Sequence, residues 1–177
     1  VVHARSCASV KQALRHNIPL IYHASFTDTE ALDMLEAARD EVFVAPGIGI
    51  LYAMLHEAEP WGVSHEKAVS MGYEEEWAAA CESLKAMHRR GVRVLPGGDY
   101  GFAFNPHLQN ARDLELFVKY LGFTPMEAIR SCTLFGGQVM MRPHELGLIK
   151  EGYLADLLRS EEHTSELQSR VDISYAV

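Results

Sequence analysis

The chain has 177 residues, 48% of them hydrophobic, and a formal charge of −8. That length supports one sizeable core, while the acidic balance argues against nucleic acid or an anionic membrane surface, both of which call for clustered Lys and Arg. No apolar run reaches the roughly 18 residues of a membrane span, and the opening VVHARSCASV has neither a starting Met nor the basic-then-apolar order of a signal peptide, so a cytoplasmic protein entered partway along its length is expected.

Strand and helix signals alternate from the first residue. VVHA is a short β-type run, and SVKQALRH follows with Val10, Ala13 and Leu14 on one helical face. IPLIYHAS (18–25) is a second apolar run. TDTEALDMLEAARD reads as a helix with Thr27 as cap and Glu30 reaching back to complete a capping box. Its apolar stripe is Leu32, Leu35 and Ala38. EVFVAP (41–46) is a third strand closed by Pro46.

GIGILYAMLHEAEPWGVSHEKAVSMG then reads as a long connection of the kind that serves as a lid or binding loop. Its Met and aromatic residues either wall a pocket or pack in the core or the lid, and packing is the favoured reading. EEEWAAACESLKAMHRRG (74–91) is a helix with an acidic first turn and a basic last turn, both of which suit the helix dipole, and Gly91 suits the C-terminal cap. VRVLPGG is the fourth strand. A helix is expected from Asn110 to Gly122, another begins at Thr124 and Pro125, and a short one follows in TLFGGQVMM.

Cys7, Cys81 and Cys132 stand far apart with no CxxC spacing. This favours reduced, buried thiols over a disulfide framework or a cysteine zinc site. Residues 159–177 are polar and aperiodic; RSEEHTSELQS resembles a translated sequencing adapter, so 159–177 is read as a non-native tail.

The order β-α-β-α-β-loop-α-β-loop-α calls for parallel strands with crossover helices: an α/β fold, either a doubly wound sheet or part of a (β/α)8 TIM barrel. In either case ligands bind at the C-terminal ends of the strands. There the sequence places His3, His23 and Asp99, one at the tip of the first, second and fourth strand. Imidazole and carboxylate are natural ligands for a catalytic divalent cation. Taken singly, each histidine also reads as a satisfied polar residue and Asp99 as a turn residue after Gly97 and Gly98. His16, His56, His65, His88 and His144 read as solvent-facing.

Several short motifs in order resemble the C-terminal half of metal-dependent amidohydrolases of the imidazolonepropionase-like group. VHA is similar to that family's fifth barrel strand and IYHAS to its sixth. GGDYG resembles the eighth-strand motif, commonly GTDAG. NPHLQNARDLELFVKYLGFTPMEAIRSCT resembles the block that follows, and LGLIKEGYLADLL the return into a small β domain.

The resemblance implies a partial barrel, strands five to eight with their helices, over residues 1–143. It implies the start of a β-sandwich segment over 144–158. Asp99 would be metal ligand and proton shuttle; His3 and His23 would bind metal, or His23 would orient the attacking water. The cofactor would be one or two divalent ions, zinc first among them. The activity would be hydrolysis of a C–N bond in an amide, cyclic amide or amidine of a small-molecule substrate. The full-length parent could form a homo-oligomer.

The sequence departs from the pattern at Gly98, Tyr100 and Arg5, where Thr, Ala and His are common. Tyr100 and Arg5 are therefore candidate substrate contacts, and His107, in NPHLQN, is a further candidate that touches substrate or supports a residue that does. The family's first-strand His-x-His and fourth-strand lysine would lie upstream of Val1, so the chain alone is expected to show no turnover. A non-catalytic α/β small-molecule-binding module is the rival reading, and a parent that has lost its metal is a third.

Overall fold

The computed structural model describes residues 1–158. The 159–177 tail lies outside the described residues. Four strands, β1 (Val2–Ala4), β2 (Leu20–His23), β3 (Phe43–Ala45) and β4 (Arg93–Val94), form one sheet in chain order. All three pairings are parallel, with Val2 opposite Ile21, Ile21 opposite Val44 and Val44 opposite Val94. Parallel neighbours cannot be joined by a tight turn. Helices α1 (Cys7–Arg15) and α2 (Thr29–Ala37) make the first two crossovers.

The third crossover holds more than one helix. The segment expected as a long loop folds as α3 (Ile48–His56), a 3-10 turn (Glu59–Trp61) and α4 (His65–Ser70), leading into α5 (Tyr73–Arg89). The correction has a physical reason. In α3 the residues Ile48, Gly49, Leu51, Ala53, Met54 and Leu55 are all buried. A helix covered on most sides carries no polar stripe, so its period is hidden. Pro60 and Gly62, the latter at φ 82°, belong to the turn after it. Of the Met and aromatic residues of this stretch, Met54 is buried and Tyr52 packs with Trp77 and Tyr120 in an aromatic cluster between α3, α5 and α6 (Arg112–Tyr120), while Trp61 and Met71 are exposed.

Side chains alternate across the sheet as the pleat requires. Ala4, Ile21, Val44 and Val94 join one core with Val10, Leu35, Leu84 and Met87 of the helices. Phe43, Ala45 and Leu95 form a smaller cluster on the other face, against Leu20 and Tyr22 of β2. That second face is partly covered by Phe135 and Val139 of α8 (Leu134–Val139), which follows α6 (Arg112–Tyr120) and α7 (Pro125–Cys132).

Helix ends show where local chemistry prevails. Thr124 and Glu127 form the full capping box of α7, and Gly91 takes a left-handed φ of 75° just past α5. At α2 the expected cap moves by one residue. The Asp28 side chain accepts from Ala31 N at 2.8 Å, while the Thr27 hydroxyl donates to Ser83 and Glu30 pairs with Lys11. The three cysteines are free, and burial pushes the Cys81 thiol up to about 11. Residues 144–158 hold turns and no strand. Among the described residues no helix is long and apolar enough to cross a membrane.

Candidate active site

The strand tips converge on one cavity of about 410 Å³. It is lined by His3, Tyr22, His23, Ala45, the 96–100 segment, His107, Asn110 and Asp113. Of the sequence candidates, His3, His23, Asp99, Tyr100 and His107 therefore share one space. Arg5 does not line it. Its Nε donates to Glu76 Oε1 at 2.8 Å, Ser25 Oγ donates to the same oxygen at 2.7 Å, and Glu76 is buried. Arg5 thus ties the β1 tip to α5 instead of facing the cavity.

His3 points away from the helical core because its neighbours Val2 and Ala4 point into it. By the same alternation His23 would follow Ile21 into that core. Instead its backbone adopts a φ of 74°, with Ala24 at 51°. This left-handed turn swings the ring toward His3, and His3 Nδ1 lies 2.8 Å from His23 Nε2. Gly47 makes the space: a Cβ there would lie 2.7 Å from His23 Nδ1. Burial, then the neighbouring His3, hold His23 below the usual histidine range, opposed by Asp99. The ring is therefore neutral at pH 7, the form whose lone pair can coordinate a cation.

Asp99 is also strained, at φ 54°, and its side chain is exposed toward the cavity. A non-glycine residue in that region persists only when its surroundings hold it there. The supports are two buried residues that sequence reasoning missed. Asn105 Nδ2 donates to the carbonyl oxygens of Gly98 and Asp99, both at 2.9 Å. Asp113 accepts from Gly97 N at 2.9 Å and from the Tyr100 hydroxyl at 2.8 Å. Burial pushes the Asp113 carboxyl up to about 6 against those hydrogen bonds, and burial beside Asp113 pushes Tyr100 up as well. A periodicity signal for Asp113 was present. It lies three and four residues before the buried Leu116 and Phe117, on the inward face of α6.

The donor chemistry suits a divalent cation: two imidazoles, one of them neutral, and a carboxylate at the mouth of a parallel sheet. The arrangement is incomplete. Among the described residues no three His, Cys, Asp or Glu side chains are grouped to hold a metal ion, and the facing nitrogens of His3 and His23 are engaged with each other. A second cavity, about 280 Å³, lies between α2 and α5 around Phe26, Leu32 and Ser83, with Glu82 its one ionisable group.

Comparison with known proteins agrees on the scaffold. The sequence model of the amidohydrolase family matches residues 9–173. The structure superposes on a protein described as a candidate prolidase from Bifidobacterium longum, at a TM-score of 0.77 and 27% identity, over 88% of this chain and 39% of that one. It shares its fold with a Xaa-Pro dipeptidase that has methionine bound in its active site (TM-score 0.74, 24% identity, 89% of this chain and 37% of that one). It likewise shares its fold with an ochratoxinase from A. niger (TM-score 0.74, 20% identity, 91% and 35%). The chain spans well under half the length of each of these structures. No curated protein gives a significant match.

Proposed function

The chain belongs to the amidohydrolase family, and from that premise we propose that it supplies strands five to eight of a (β/α)8 hydrolase of C–N bonds. His3, His23 and Asp99 are its share of a divalent-metal site, with zinc the first ion to test. The observation that carries this reading is the convergence of His3, His23 and Asp99, from three strand tips, on one cavity.

When bound, the cation would make water acidic enough to react near neutral pH and would polarise the scissile carbonyl. The chain's own residues do the rest. Asp99 takes the proton of the attacking water and returns it to the leaving nitrogen. His23, held below the usual histidine range by burial, would hold the cation through its lone pair or accept a hydrogen bond from the water. Tyr100 and His107 line the remaining wall and orient the small-molecule substrate. The likeness to proteins described as prolidases makes dipeptides with a proline-type C–N bond the first substrates to assay.

The test is zinc affinity of this chain, read at submicromolar concentration by competition with a fluorescent chelator. His3→Ala, His23→Ala and Asp99→Ala should each weaken binding at least tenfold. Unchanged affinity in all three variants, or no zinc binding by the unaltered chain, overturns the assignment. Because the described residues group no complete metal site, the chain alone is expected to show no turnover even with zinc present.

A further inference from the structure

We propose that Asp113 and Asn105 are positioning residues that clamp the β4 tip from two sides and hold Asp99 in its strained, cavity-facing conformation; this rests on the reading of Asp99 given above. The two side chains use complementary chemistry. Asp113 has only acceptors, and they take the two donors flanking Asp99: the Gly97 N–H and the Tyr100 hydroxyl. Asn105 turns its donor toward the two carbonyls at Gly98 and Asp99. Its own oxygen accepts from Arg112 at 2.7 Å, and Arg112 also donates to Glu57 at 2.5 Å.

Asn105 is fully buried and Asp113 is 1% exposed. A buried polar side chain with imperfect partners is costly; here both side chains are bonded, and the two Asp113 bonds and both Asn105 donor bonds go to a single short loop. The close packing supports the same role. A Cβ at Gly98 would lie 2.7 Å from Asp113 Oδ1 and 2.5 Å from the Tyr100 ring, and one at Gly49 would lie 2.9 Å from Asp113 Oδ1. Glycines are therefore required on both sides of the carboxylate so that it can reach the loop. Neither Asp113 nor Asn105 needs to touch substrate; both act through Asp99.

Two measurements on this chain decide the matter. Amide hydrogen exchange, followed by mass spectrometry on peptides covering 95–101, reads the loop directly. Asp113→Ala should raise exchange there at least tenfold, and Asp113→Asn, which keeps an acceptor oxygen, should restore most of the protection. Zinc affinity then reads the link to Asp99. Asp113→Ala should weaken binding about as much as Asp99→Ala, and the double variant should be no weaker than Asp99→Ala alone.

A purely structural role would instead lower affinity further in the Asp99→Ala background, and that result overturns the clamp. So does unchanged exchange over 95–101 in Asp113→Ala. If the unaltered chain binds no zinc, the metal reading fails while exchange still decides the clamp, either way. Should Asp113→Ala not fold, Tyr100→Phe removes one of the two bonds at constant volume; a smaller rise in exchange supports the clamp and no rise overturns it.

Discussion

Single residues at this site are chosen for conformation as much as for chemistry. Gly98 is the clearest case, because its missing side chain is what lets Tyr100 and Asp113 meet. Gly98→Ala should cost about 1–3 kcal/mol through overpacking, seen as a lower urea midpoint, and should expose the 95–101 amides. Asp113 gives a pH signature. Its carboxyl has an ordinary value of 3.8 and is pushed up to about 6 by burial. Between those values the folded chain holds a proton that the unfolded chain has released. The contribution of Asp113 to stability is therefore fullest below 3.8 and is lost as pH rises through 6. Asp113→Asn cannot titrate, so its urea midpoint relative to the parent sequence should rise between pH 4 and pH 6.5; a constant difference would refute the shift. The metal-type candidates were legible because each ends an apolar run. Asp113 was not, because an acid in a helix's first turn also reads as a dipole partner. Only its phase with Leu116 and Phe117 sets it apart.

At the level of elements, the most legible helices pair an apolar stripe with a cap. Helix α7 is one: Pro125 opens it, and Thr124 and Glu127 close its first turn reciprocally. Thr124→Ala should cost about 1 kcal/mol, measured by thermal unfolding, with little effect on zinc affinity because the cap lies away from the cavity. Leu84, fully buried in α5, anchors the larger core, and Leu84→Ala should cost about 2–5 kcal/mol. Helix α3 was illegible for the reverse reason, since burial on most sides erases the contrast that periodicity needs. At α2 two residues competent to cap stand side by side. The choice fell to Asp28 because Ser83, distant in sequence, claims the Thr27 hydroxyl. Strand β4 is shorter than its apolar run because Pro96 has no N–H and the Gly97 N–H belongs to Asp113.

Over the whole molecule, the sheet has two free sides: among the described residues, β1 pairs only with β2 and β4 only with β3. Unpaired strand edges recruit other strands. The isolated chain should self-associate as its concentration rises into the micromolar range, detectable by light scattering, and a monodisperse monomer at high concentration would count against open edges. The α/β class and the parallel order could be read from alternating signals alone. Where the sheet ends could not, because an edge strand and a central strand carry the same apolar pattern when both faces are covered. The aromatic cluster has a practical corollary. Trp77 sits against Tyr52 and Tyr120, at the junction of three helices, while Trp61 is half exposed on its turn. Intrinsic emission from this protein should therefore carry two signals: a red, quencher-accessible component that ignores folding, and a bluer one that vanishes when the α3–α5–α6 junction comes apart, a built-in optical gauge that needs no label.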